Sequence, residues 1–136
     1  MKKISRRKFL GNSSKASLAG TAIFAESNSI TKQMNNIFIH HVYFWLKNTG
    51  NMEDRDKLVA GLQKLSKAGS IKQFHIGKPA NTNRDVIDRS YAVSWMLIFE
   101  NEADQAVYQT DPIHLKFIEE CSQLWSKVVV YDAVDA

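Results

Sequence analysis

Four histidines, one cysteine and three tryptophans carry most of the chemistry available to this chain. His114 lies in Asp111-Pro112-Ile113-His114, which reads as a helix start with Asp111 as the cap and Pro112 at the first helical position. The positive end of a helix disfavours imidazolium, so a ring there stays neutral and able to accept a proton near pH 7, while Asp111 pulls the other way. The same four residues also serve as a plain helix-start device, with the imidazole bonding a nearby backbone group. His40 and His41 are neighbours in an extended run, so they point to opposite faces of a sheet and cannot share a metal ion. His41 shares its face with Ile39, Tyr43 and Trp45, and is either a pocket residue or a satisfied core histidine. His75 reads as structural or exposed. Four histidines without ligand spacing predict no metal site. Cys121 sits in an apolar helical pattern without an activating base and is expected to be a small core residue. Being single, it can form no intrachain disulfide. Trp45, Trp95 and Trp125 either line an aromatic pocket or fill the core and an interface. The carboxylates are scattered, with no spaced pair that suggests hydrolysis.

Secondary elements must bring these residues together. Residues 37–46 are β-branched and aromatic almost throughout, as in a strand buried on both faces. Lys47-Asn48-Thr49-Gly50-Asn51 is a turn cluster. Leu58, Leu62 and Leu65 then recur at helical spacing, with Glu53 and Asp54 in the opening turn and Gly69 as the stop. Residues 70–78 read as a second strand and 91–99 as a third, the latter with Tyr91, Val93, Trp95, Leu97 and Phe99 on one face. Residues 102–109 form a short helix that Asp111-Pro112 restarts, and residues 127–134 close the domain as a fourth strand. The order is β-α-β-β-α-β, the ferredoxin-like α+β arrangement. Its helices cover one sheet face only, whereas every strand has two apolar faces. A second copy packed sheet to sheet is the simplest cover, which predicts a homodimer.

Charge separates the N-terminus from the rest. The chain has 136 residues and a formal charge of +4, but six of its 18 basic residues precede residue 26, where there is no acid. The remaining 12 face all 14 acids, a balance of −2, so the folded part lacks the basic face that a nucleic-acid partner requires. Ser5-Arg6-Arg7-Lys8-Phe9-Leu10 resembles the twin-arginine translocation motif. A weakly apolar stretch to Ala25 follows, too short and polar to span a bilayer but matching a removable signal, with cleavage after Ala22 or Ala25. No cysteine lies there to carry lipid. The expected organisation is a signal over residues 1–25, a linker over 26–36 and a domain over 37–136. The product is expected in the periplasm or beyond, with no membrane anchor left after signal removal.

Between Ile37 and Asp132 the chain resembles the stress-responsive dimeric α/β-barrel domain family. Ile39-His40-His41-Val42, Val86-Ile87-Asp88 with Tyr91, Tyr108 through Phe117, and Trp125 leading into Val128-Val129-Val130-Tyr131-Asp132 carry the likeness. The resemblance implies a dimer whose two four-stranded sheets close into a barrel, with a cavity between sheet and helices in some members. In the plant cyclase branch a histidine is general base, assisted by a tyrosine six residues earlier, and no cofactor is needed. Tyr108 and His114 stand at that separation and are the candidate catalytic pair. His41 looks like that branch's first-strand histidine, and Tyr43, Val93 and Trp95 complete the expected pocket. Val93 stands where the cyclase pattern has another histidine, so the polar lining is thinner here. The expected function is binding of a small apolar or aromatic molecule, with cofactor-independent cyclase or monooxygenase-like proton transfer. The other reading is a stress-associated structural oligomer without turnover. Export makes a part in intracellular polyketide synthesis harder to accommodate than ligand binding.

Overall fold

The computed structural model describes residues 30–136; the signal segment read over residues 1–25 lies outside them. Strand β1 (Phe38–Leu46) leads to helix α1 (Met52–Leu65), β2 (Gln73–Gly77), β3 (Val93–Phe99), α2 (Glu102–Thr110), α3 (Pro112–Cys121), a 3-10 turn (Ser122–Leu124) and β4 (Trp125–Val134). The strands form one sheet in the order β2-β3-β1-β4, with every neighbouring pair antiparallel. This is the ferredoxin-like α+β fold that the element order predicts. Its two central strands are β1 and β3.

Local chemistry explains the element ends. Gly50 turns the chain with φ of +76°, where a side chain would be strained, and the Asn51 side chain then caps α1 by accepting from the Asp54 N–H at 2.9 Å. The helix stops at Leu65, short of Gly69, because the N–H groups of Ser66, Lys67 and Ala68 fold back onto the carbonyls of Leu62, Lys64 and Leu65. Strand β2 is five residues rather than the expected nine. Its ladder with β3 runs only from Gln73 opposite Ile98 to Gly77 opposite Ser94, and beyond it Pro79 has no N–H to offer.

One face of the sheet holds the core. Phe38, Val42, Phe44 and Leu46 of β1 and Val93, Trp95, Leu97 and Phe99 of β3 are buried under Leu58, Leu62 and Leu65 of α1, Tyr108 of α2 and Phe117 and Cys121 of α3. On the other face Ile39, His41, Tyr43 and Trp45 are only half-buried, and β1 alternates strictly between the two states. The lone Cys121 is a core residue, and burial pushes its thiol pKa up. It also sets the closeness of two helices. A Cβ on Gly61 of α1 would lie 2.5 Å from Cys121 Sγ and 3.3 Å from the Phe117 ring. Gly61→Ala should therefore destabilise the protein by about 1 kcal/mol, crowding outweighing a helix-propensity gain of about 1 kcal/mol. In a Cys121→Ala background the same change should become neutral or stabilising. Urea unfolding of the four proteins measures this, and an equal cost in both backgrounds would mean that the Gly61–Cys121 approach is not limiting.

Candidate functional site

The break between α2 and α3 creates the site. Asp111 closes α2 and opens α3 in extended conformation (φ −60°, ψ 132°), its carboxylate accepting from the Ile113 N–H at 2.8 Å, with Pro112 next. Tyr108 in the last turn of α2 and His114 in the first turn of α3 thereby meet with ring centroids 4.6 Å apart. Residues six apart on one continuous helix would be rotated away from each other.

Hydrogen bonds assign the roles of both side chains. His114 Nδ1 lies 3.1 Å from the Gln109 carbonyl, which can only accept, so Nδ1 carries the proton and Nε2 of the neutral ring bears the lone pair. Burial is the largest influence on this ring and lowers its pKa, outweighing the opposing pull of the Gln109 carbonyl and Asp111. The helix-start device and a lone pair on Nε2 thus coexist in one residue. Tyr108 is buried, and its hydroxyl oxygen accepts from the Trp95 indole N–H at 3.1 Å. Burial raises its pKa to about 12, so the phenol keeps its proton as a donor.

A third polar group joins them from the sheet. His40 of β1 faces Asp132 of β4 across the ladder, and its Nδ1–H donates to the Asp132 carboxylate at 2.6 Å. His40 is buried, its ring edge-on to Tyr108 at 6.0 Å and to Phe99 at 6.4 Å, and the carboxylate fixes its orientation. A cavity of about 310 Å³ opens between α3 and the sheet, with His40, Tyr108 and His114 at its polar end. Phe44, Phe117, Trp125, Val128 and Val130 form its apolar walls. Apolar walls with a few hydrogen-bonding groups gathered at one end are the pattern of small-molecule pockets.

The pocket expected from sequence is divided by the sheet. Tyr108, His114 and Trp95 come together at the cavity. His41 and Tyr43 do not: they lie on the opposite face, stacked on each other at 4.4 Å, with Tyr43 Oη 3.2 Å from His41 Nδ1. Val93 is buried in the core and does not line the cavity. The histidine that does is His40, the neighbour of His41 in β1, whose side chain points to the other face of the strand. Its partner Asp132 carries no local signal, because the pair depends on β1 meeting β4. Strand alternation with Val42 and Phe44 was the available sign for His40. Among the described residues no group of three or more His, Cys, Asp or Glu side chains is placed to hold a metal ion, and no helix is long and apolar enough to cross a membrane.

With this geometry in hand, known proteins give a consistent frame. A family model described as the stress responsive A/B barrel domain matches residues 38–135. No curated protein sequence matches the chain. Among solved structures, a ferredoxin-like protein of that family from Mesorhizobium loti is 20% identical, with a TM-score of 0.62 over 74% of this chain and 97% of its own. A dimeric ferredoxin-like protein of unknown function from Bacteroides fragilis is 16% identical, with a TM-score of 0.60 over 76% and 100%. A hydroxynitrile lyase from Passiflora edulis is 22% identical, with a TM-score of 0.62 over 76% and 96%.

Burial of His114 has a consequence for stability. Its folded pKa lies below the ordinary 6.5, so the unfolded chain takes up the proton first as pH falls. Stability is therefore full above pH 6.5 and declines from there towards the lower folded value; His41 acts in the same direction, chiefly through burial. His114→Gln should lose its share of that decline, read from urea midpoints between about pH 7.5 and about pH 5.5. Parallel declines in wild type and variant would contradict the assignment.

Proposed function

The chain belongs to the stress-responsive A/B barrel domain family, and from that footing we propose that it is an exported homodimer that binds a small aromatic or apolar molecule in the cavity beside His114. The single observation carrying this reading is the juxtaposition of a neutral imidazole with a free Nε2 and a protonated phenol at one end of an apolar cavity. An acceptor and a donor side by side suit proton transfer without a cofactor. His114 Nε2 takes a proton from the bound molecule while the Tyr108 O–H donates a hydrogen bond to the oxygen on which charge develops. The imidazolium then returns the proton to a second atom, so nothing is oxidised or reduced. His40, held by Asp132, lines the same end of the cavity with its ring edge-on to Tyr108 and acts as a positioning residue. That one protein of this fold is a hydroxynitrile lyase supports a fold open to catalysis.

The homodimer reading rests on the half-buried second sheet face and on the dimeric neighbours of the same fold. The export reading rests on Arg6-Arg7 and the apolar stretch after them. Light scattering should give twice the chain mass, and a stable monomer would remove the first. Replacing both arginines by lysine should hold the protein in the cytoplasm, and undiminished export would remove the second.

The chemistry is tested with a panel of monocyclic phenols and aryl ketones, followed for binding by calorimetry and for turnover by chromatography. Against a compound that is turned over, His114→Ala should slow turnover by about 10²–10⁴-fold with binding largely retained. Tyr108→Phe should slow it too, and should leave the buried Trp95 N–H unpaired at a stability cost of about 1–3 kcal/mol. Unchanged turnover in His114→Ala would clear that residue of the role, and binding without any turnover would leave a carrier.

A further inference from the structure

The second face of the sheet is built around histidines. Strand register sets His75 of β2, Met96 of β3, His41 of β1 and Tyr131 of β4 in one row across it. His41 stacks on Tyr43, whose Oη lies 3.2 Å from its Nδ1, and Tyr43 in turn stands beside Tyr91 and Tyr131. His75 is about 10 Å from His41, two strand spacings away, with only the uncharged Met96 between them. The face has one further cation, Lys127, whose Nζ sits over the Trp45 ring at 4.5 Å from its centroid. Among the described residues, no Asp or Glu of the four strands shares this face. The carboxylates around it are engaged elsewhere. Asp132 lies on the helix side with His40, Glu100 pairs with Lys72 at 3.1 Å, and Asp135 accepts from the Asn36 N–H at 2.7 Å. Asp88, in the connection between β2 and β3, accepts from the Ser90 N–H at 2.8 Å and stands at the Trp45 end of the face.

A second copy packed sheet to sheet lies about 10 Å away and closes this face to water. A two-fold axis makes such an interface isologous, so the partner brings the same residue types again. The assembled interface then holds the imidazoles of both copies and no strand carboxylate to meet them. Neutral imidazole is compatible with that setting. Imidazolium is not, because it becomes a buried charge without a counter-charge and among other cations. Burial already lowers the His41 pKa within one copy, and His75 and His40 add to the effect. Resting on the homodimer reading, we infer that the His41–His75 row makes the assembly pH-sensitive, the dimer being whole at neutral pH and separating into folded monomers as these imidazoles take up protons. A histidine held neutral in the dimer and free to charge in the monomer gives association that is full above the monomer's pKa and falls below it. The window therefore opens below the ordinary histidine value of about 6.5.

The test is sedimentation velocity of the folded protein over a dilution series between about pH 7.5 and about pH 5.0, with circular dichroism recorded at each pH. The dimer dissociation constant should rise about tenfold or more between about pH 7.5 and about pH 5.5, while the circular dichroism of the folded chain persists. His41→Gln and His75→Gln should each flatten that rise, and the double variant should remove most of it, because glutamine keeps a polar side chain that does not titrate. A dimer equally tight across the range would overturn this inference and leave the homodimer reading standing. So would a rise undiminished in the double variant, or a loss of dimer only where the circular dichroism is lost as well. A monomer already at about pH 7.5 would remove the homodimer reading and this inference with it.

Discussion

A β-strand can present successive side chains only to opposite faces, and in this protein that constraint falls on the central strand β1. It sends His40, Val42 and Phe44 under the helices and His41, Tyr43 and Trp45 to the other side. The two faces then acquire different chemistry from almost identical residue types. Under the helices, His40 meets a carboxylate and a buried phenol, so its surroundings are polar at one end and apolar elsewhere. On the far side, the odd-numbered residues stand among tyrosines, with no helix core to bury them completely.

The helix break at Asp111 does for α2 and α3 what alternation does for β1. A continuous helix would separate Tyr108 and His114, while a cap and a proline turn the axis and bring the rings into contact. The Gln109 carbonyl, released from helical bonding near this break, orients the imidazole, and the indole of Trp95 on the sheet orients the phenol. Burial then moves both groups in useful directions, keeping the imidazole neutral and the phenol protonated. A charged imidazole would donate from both nitrogens and accept from neither. The acid–base character of the site thus follows from packing, with neighbouring charges as smaller influences.

Much of the fold was legible because its signals are local. The leucine spacing of α1, the Asp-Pro start of α3 and the β-branched runs of β1 and β3 each lie within about one or two turns or one strand of chain. The ends of β2 were less so, since a strand stops where its partner's hydrogen bonds stop, and Gln73 and Gly77 take their limits from β3. Tyr108 and His114 were legible as a pair through the family resemblance of the stretch that carries them. His40 and Asp132 were not, because 92 residues separate them and only the β1–β4 register makes them neighbours.

By itself, then, the sequence determined the element order, the Asp111–Pro112 helix start and the ferredoxin-like arrangement, since each is set by interactions along a few successive residues, while Tyr108 and His114 came as a pair from the family resemblance. The tertiary structure alone decided which first-strand histidine joins that pair, that Asp132 holds it, and that Tyr43 stands beside Tyr91 and Tyr131 on the other face. Strand register accounts for that division: pairing between distant segments sets which residues meet, and a shift of one position exchanges the two faces of the sheet.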